Sequence, residues 1–183
     1  MIYHEESHNV ITNVGLFVIA RELANQTGIW QWTGALGGND KYYSMGDPRY
    51  IALSTDATGA NAIHSSWQTV DGSYTTDIEI ITGGLQRQPA STFTYVMSSY
   101  TPGTGTTTGS LAYAIAYTFT VAAGNSFTGV QKAGLFTGTY NTNPGTSGSP
   151  ITPLVAENTF TPVDLGSGDQ IAVTWRITFG TPP

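Results

Sequence analysis

The chain begins with a pattern of residues that can hold a metal ion. His4, Glu5 and His8 form H-E-x-x-H, which on a helix sets two imidazoles one turn apart to bind zinc, with the glutamate as general base. In zinc peptidases this pattern lies in the middle of a helix, and a third protein ligand follows it. Here no histidine follows at that spacing, and the segment has no apolar positions to anchor a helix. We therefore expect a coincidental motif within a flexible N-terminal arm, residues 1–9.

The acidic residues offer two further candidate sites, and neither has the spacing that its chemistry needs. Asp77 and Glu79 are two apart in YTTDIEII, so they share one face of a predicted strand. Glycosidase carboxylates flank a cleft, whereas neighbouring carboxylates on one strand are typical of a solvated face. Asp40, Asp47 and Asp56 can join an irregular calcium site, but no D-x-D-x-D-G loop is present. We also find no G-x-S-x-G nucleophile motif, and we predict no catalytic residue, no cofactor and no metal.

Aromatic residues in the loop-rich parts of the chain are candidates for an interface. Exposed aromatic side chains stack on sugar rings, and Tyr and Trp are also enriched where proteins contact each other. Ordinary core or subunit packing explains them equally well, and we favour interface or core over sugar binding. The candidate interface residues are Trp30, Trp32, Tyr42, Tyr43 and Trp67.

Composition and charge exclude several classes of function. Only 10% of the 183 residues are charged, against about 25% in an average soluble domain, so hydroxyl and amide groups dominate the surface. The net charge is −6 and the six cations are scattered, which argues against nucleic-acid binding. With 0 Cys there is no disulfide frame and no Cys-based zinc site. The first residues do not resemble a signal peptide and no segment has transmembrane length, so we expect synthesis in a cytoplasm and no membrane partner.

One helix is predicted, over residues 13–27. In TNVGLFVIARELANQTG, apolar residues recur at helical spacing, with Thr12 or Asn13 able to cap the start and Gly28 able to end the helix. Gly15 in the first turn weakens the pattern slightly. The apolar stripe consists of Leu16, Ile19, Ala20 and Leu23, widened by Phe17 and Val18.

After the helix, the apolar period changes to two. In LAYAIAYTFTV the large side chains fall on one face and Ala and Thr on the other, and QIAVTWRITF repeats this alternation. The predicted strands cover residues 50–54, 92–97, 111–121, 132–136, 153–160 and 170–179. The long biased stretches are predicted to be loops: 34–47, 101–109 and 139–150.

A helix followed by regularly spaced strands predicts one mainly β domain, residues 10–183. The expected architecture is an antiparallel β-sandwich or jelly-roll-like barrel, with the N-terminal α-helix covering an edge or an open end. No internal repeat is present.

The order of segments resembles a loose family of tailed-bacteriophage structural proteins. Its opening "thr-asn-x-gly-leu" helix is matched by TNVGLFVIARELA, and its "tyr-ile-ala-leu-gly" strand by RYIALSTDAT. Its "gly-leu-x-arg" and "ala-gly-leu-phe" segments are matched by GGLQRQPAS and KAGLFTG. Its closing pattern, "phe-x-pro-val-x-leu-x-x-gly-asp-x-leu-x-val-thr-trp", is matched by FTPVDLGSGDQIAVTWRITF. The match runs from about residue 10 to 179; Ser54 replaces a glycine, and the loops at 28–48, 55–75 and 139–150 are enlarged.

The resemblance implies a non-enzymatic virion protein assembled in the host cytoplasm. We expect a capsid decoration or cement protein that contacts the major capsid protein and associates with itself, with a trimer as the expected state. A tail, neck or fibre-attachment subunit is the alternative from the same family. A carbohydrate-binding module is the alternative from a different class, and it would need Trp30, Trp32, Tyr42 or Tyr43 exposed on one platform.

Overall fold

Where the structure describes the chain, it is mainly β-structure with one short helix. The computed structural model describes residues 10–23, 28–32, 41–45, 48–68, 74–97, 111–142 and 151–179. Within these ranges lie α1 (Asn13–Leu23), β1 (Val10–Ile11), β2 (Gly28–Trp32), β3 (Lys41–Met45), β4 (Tyr50–Ser54), β5 (Gln88–Pro89), β6 (Thr92–Met97), β7 (Leu111–Thr120), β8 (Phe127–Phe136), β9 (Leu154–Leu165) and β10 (Gln170–Phe179). In that part of the chain, no helix is long and apolar enough to cross a membrane.

The strands form three antiparallel sheets. The largest has the order β1-β9-β8-β4-β5, the second β10-β7-β6, and β2 pairs with β3 alone. The predicted strands at 50–54, 92–97 and 170–179 have the observed bounds, and the strand at 111–121 ends one residue earlier. Mainly antiparallel β-structure with an N-terminal helix was therefore readable from the period of apolar residues.

Three predicted boundaries are corrected by the structure. β3 lies inside the stretch 34–47 that we expected to be a loop, because KYYSM pairs with GIWQW residue for residue. β8 begins at Phe127 rather than at 132, and β9 continues to Leu165 rather than to 160. These extensions contain register shifts near Val130, which break the strict alternation that sequence reading relies on.

One apolar cluster contains residues of both larger sheets. β4 and β8 supply Ile51, Leu53, Val130 and Leu135, while β7 and β10 supply Ile115, Phe119, Ile171 and Trp175. On β7 the intervening Thr118 and Thr120 are exposed, as the alternating pattern predicted. Burying each such large apolar side chain stabilises the fold by about 1.5–3 kcal/mol, so this shared cluster is the main attraction between the sheets.

The helix contacts β9 through its smallest residue. Thr12 caps α1, since its Oγ1 accepts the Gly15 N–H at 2.8 Å. Gly15 and Val18 are buried, whereas Leu16 is 56% exposed, so the buried face is rotated from the predicted stripe. A Cβ at Gly15 would lie 1.9 Å from the Val155 carbonyl oxygen, which shows how closely the helix approaches the strand. The predicted helix end at 24–27 lies outside the described residues.

Replacing Gly15 with alanine should destabilise the fold. Alanine normally favours a helix over glycine by about 1 kcal/mol, but here its methyl group would collide with the β9 backbone. We expect a net loss of about 1–3 kcal/mol in the free energy of unfolding, measured by urea denaturation. Gly59→Ala is the matched control, because no atom lies within 4 Å of its added Cβ. Equal or greater stability of Gly15→Ala would contradict the close approach.

Candidate functional site

The connection between β4 and β5 covers the second face of the five-stranded sheet. We call its described residues, 55–68 and 74–87, the covering segment. Its backbone bonds the sheet at two places, with the Leu154 N–H donating to Ser65 O and the Ile80 N–H donating to Leu53 O, both at 2.9 Å. The Ser54 hydroxyl adds a 2.7 Å bond to Ile78 O. Both faces of this sheet are therefore buried, which explains why β4 is buried along four consecutive residues.

Trp67 packs into the sheet where β8 has no side chain. A Cβ on Gly134 would lie 2.7 Å from the Trp67 ring, and Phe136 meets that ring edge-on at 5.2 Å between centroids. Ala52 and Leu154 complete this second apolar cluster. Trp67 is 0% exposed, so the prediction that it is an interface residue is wrong, and the core alternative holds.

A buried carboxylate on β9 gathers hydrogen bonds from the covering segment. Glu157 is 0% exposed and stands directly opposite Gly134 in the β8–β9 register. Its Oε2 accepts from Trp67 Nε1 at 2.9 Å and from the Tyr74 hydroxyl at 3.1 Å. Its Oε1 accepts from the Asn61 N–H at 2.8 Å and bonds His64 Nδ1. Both oxygens of Glu157 are thus occupied by groups of one segment.

A buried lysine on β8 lies beside this carboxylate. Lys132 Nζ donates to Asp56 Oδ2 at 2.6 Å and to the Tyr74 hydroxyl at 3.3 Å. The ammonium nitrogen also lies 5.2 Å from the centre of the Tyr74 ring, within the range of a cation–π contact. Tyr74 therefore links the Lys132–Asp56 ion pair to Glu157. We call Asp56, His64, Tyr74, Lys132 and Glu157 the polar core.

A second buried ion pair lies within the covering segment, between Glu79 and Arg87. Arg87 Nε donates to Glu79 Oε1 at 2.9 Å, and its Nη2 bonds the other carboxylate oxygen. Its Nη1 donates to Thr152 Oγ1 at 2.6 Å and to Gly138 O at 3.0 Å. The guanidinium carbon is 3.6 Å from the Phe136 ring centre. Arg87 thereby connects the covering segment to the residues on either side of the 143–150 stretch.

The structure corrects the prediction of a solvated Asp77–Glu79 face. Asp77 is exposed, but Glu79 is buried, and it forms an isolated bridge with Ser54 rather than part of a strand. Burial raises the pKa of Glu79 above its ordinary value of 4.5, and the bonded Arg87 guanidinium acts in the opposite direction. The two carboxylates therefore have different environments despite their spacing of two.

The remaining predicted site residues are only partly described. The HEESH residues (His4, Glu5, His8), like Asp40 and Asp47, lie outside the described residues. Asp56 is paired with Lys132, and the described ranges contain no group of three potential metal ligands. Trp30 and Tyr43 lie directly opposite each other in the β2–β3 register, Gln31 faces Tyr42, and Trp32 faces Lys41.

The polar core was missed by sequence reasoning, although a signal for it exists. Lys132 and Glu157 are charged residues inside otherwise apolar strand segments, KAGLF and PLVAENTF. Fully buried charges are rare unless they are paired, so two opposite charges in predicted strands point to a common buried partner network. As arranged, these groups bond to one another and to the backbone, and they hold the covering segment on the sheet.

Replacing Glu157 with glutamine should destabilise the protein without changing its shape. One end of the new amide is an NH₂ group, so either orientation sets a donor against the Asn61 and His64 side or against the Trp67 and Tyr74 side. Each buried donor that loses its acceptor costs about 1–3 kcal/mol, measurable by urea denaturation. Asp77→Asn, the same change at an exposed carboxylate, should stay within about 0.5 kcal/mol. A similarly small effect at Glu157 would show that its bonds do not hold the cover.

Replacing Arg87 with methionine should make stability depend on pH in a defined direction. The change removes the two influences that lower the pKa of Glu79 and leaves burial and Asp77, which raise it. A carboxyl whose folded pKa is raised loses its contribution to stability as the pH rises through that value. The pKa of Glu79 is already raised in the wild type, so the deficit of Arg87→Met relative to wild type should begin only above that wild-type pKa. It should then grow as the pH rises towards the still higher pKa of the variant, up to about 3–5 kcal/mol.

Urea unfolding at several pH values between about 4 and 8 measures this deficit. Arg49→Met is the matched control. The Arg49 side chain is exposed, its guanidinium carbon lies 5.7 Å from the centre of the Tyr50 ring, and it has no carboxylate partner among the described residues. Its deficit should not change with pH. A deficit of Arg87→Met that is also independent of pH would contradict the ionic character of the Glu79–Arg87 pair.

Comparisons with known proteins identify no relative of this chain. No family model, no curated protein and no solved structure matches the chain. The segments that resemble tailed-phage structural proteins therefore supply an expectation about function, while the fold and the polar core are described from this chain alone.

Proposed function

We propose that this protein is a non-enzymatic structural subunit of a tailed-phage particle, placed on the outside of the head as a decoration or cement protein. Its partners on this proposal are the major capsid protein and further copies of itself. The observation that carries the proposal is the position of the residues that make up the resemblance. Several of them lie at close approaches between elements, in a buried ion pair or in a tight turn.

Four of the five matched segments each contribute one residue with a demanding position. In the matched helix, Gly15 allows α1 to touch β9. In the "gly-leu-x-arg" match, Arg87 is the buried partner of Glu79. In the "ala-gly-leu-phe" match, Gly134 makes room for Trp67, and in the closing match Gly168 adopts φ 81° in the turn before β10. A sequence pattern made of residues with such structural roles supports the proposal that this chain and the family it resembles share a fold.

The arrangement of the sheets also supports an assembly role. We propose that the two larger sheets form a β-sandwich, because a single apolar cluster draws on both; a jelly-roll-like connection stays a prediction. The buried charges of the covering segment are bonded to groups of this chain, which fixes that segment in place. A framework held in this way presents its edges and loops rigidly, and many copies on a shell multiply weak contacts.

Immunogold labelling of intact particles from the source lysate tests the proposal. An antibody against this protein should label the whole surface of the head, because a decoration protein occupies many equivalent positions. Antibody against the major capsid protein is the positive control for access to the head, and preimmune serum is the negative control.

The pattern of label distinguishes the alternatives. Label confined to one vertex or to the tail would replace the head assignment with the neck, tail or fibre assignment. No label on accessible particles would overturn a position on the outer surface. A glycan array with bound protein would then favour the carbohydrate-binding alternative, which depends on Trp30, Trp32, Tyr42 and Tyr43.

A further inference from the structure

The two larger sheets end in different ways. The five-stranded sheet is bounded by β1 and β5, which have two residues each, and β5 contains Pro89. Short edge strands and proline are devices by which proteins prevent their sheets from pairing with other chains. The three-stranded sheet is bounded by β6 and by β10, which has ten residues. Within the described residues, no strand pairs with the outer edge of β10.

β10 has the regular geometry that strand pairing needs. Its register with β7 runs unbroken from Gln170 to Phe179, in contrast to the shifts between β8 and β9. The strand contains no proline, no lysine and no bulge. Every second residue of a regular edge strand turns its N–H and C=O away from the sheet. With respect to the described residues, β10 therefore offers a row of unpaired backbone donors and acceptors.

The outward face beside this edge is made of small side chains. Ala172 and Thr174 are exposed, and Thr92, Ala116 and Thr174 form one row across β6, β7 and β10. Arg176 is the one charged residue in β10. Small neutral side chains let a second strand approach without a steric clash, and a single charge leaves few possibilities for like-charge contact.

We infer that β10 is a dimerisation strand, which pairs antiparallel with β10 of a second copy of this chain across a two-fold axis. Self-pairing fits this strand because its sequence can face itself without conflict. With the axis at Thr174, residues 170–178 pair, and Arg176 lies opposite Ala172 rather than opposite another arginine. The product is a continuous six-stranded sheet, β6-β7-β10 of one copy followed by the same strands of its partner in reverse order.

This inference goes beyond the proposed function and does not depend on it. A two-fold contact through β10 can be tested with the purified chain alone, whereas a position on the head can be tested only with phage particles. If both hold, the dimer carries two capsid-binding surfaces and gains avidity from their linkage. A trimer, which we expected from the general symmetry of oligomers, would instead need β10 to pair with a different edge of the next copy.

Sedimentation equilibrium of the purified full chain, with two matched double variants, tests the dimer. The wild-type mass should approach twice the 19.4 kDa of the chain as concentration rises. Combining Ala172→Lys with Thr174→Lys places ammonium groups opposite each other at the axis and opposite Arg176. We expect the dimer Kd to rise by roughly tenfold or more. Combining Thr92→Lys with Thr94→Lys adds the same charge to the same face at the other edge, and the Kd should stay within about twofold.

Circular dichroism and urea denaturation should show that both double variants remain folded, since all four substituted side chains are exposed. A wild-type mass of one chain at every concentration would overturn the inference, and so would a trimer mass. A dimer that is weakened by the β6 pair of substitutions and not by the β10 pair would place the contact at the other edge, which also overturns it. If either variant unfolds, Ala172→Lys and Thr92→Lys alone give the same comparison with one added charge each.

Discussion

The structure depends on one buried carboxylate. Glu157 lies in the middle of the five-stranded sheet without access to water, where an unpaired charge would be strongly unfavourable. Its bonds to Asn61, His64, Trp67 and Tyr74 offset that penalty, and all four partners belong to the covering segment. The sheet therefore requires its cover, since removing the segment would expose an apolar face and leave the carboxylate without donors. The same bonds fix the path of a long connection whose described residues, 55–68 and 74–87, form no regular strand.

The second constraint is the close approach of Trp67 to the β8 backbone, which allows Glu157 to reach its hydrogen-bond partner. Gly134 stands opposite Glu157 in the register, so the missing side chain on β8 is what lets the Trp67 indole reach the carboxylate. Ser54 then anchors the beginning of the segment, because its hydroxyl donates to Ile78 O and accepts the Asp56 N–H at 3.0 Å.

Sequence reasoning recovered the parts of the fold that depend on local period. β7 and β10 alternate large and small residues without interruption, so their bounds and buried faces were predictable. The buried face of α1 was not predictable from this period. Leu16 is more hydrophobic than Gly15, yet Leu16 is exposed and Gly15 is buried, because the close contact with Val155 requires glycine. Lys132 and Glu157 stand out as charges within apolar strand segments, but the site that they form was not identified. Their partners lie 58 to 96 residues away in the sequence, and a charge in a strand does not identify its partner.

The distribution of buried and open surface limits where this protein can act. Both faces of the five-stranded sheet are covered, and its edges end in two-residue strands, so that sheet serves as a support. The surface left for contacts therefore includes the outer face and edges of the three-stranded sheet, whose exposed residues are mainly threonine and alanine. Such side chains lose little conformational freedom on association and carry no charge to desolvate. If β10 pairs with a second copy, as we infer, that contact gains its strength mainly from backbone hydrogen bonds between the strands.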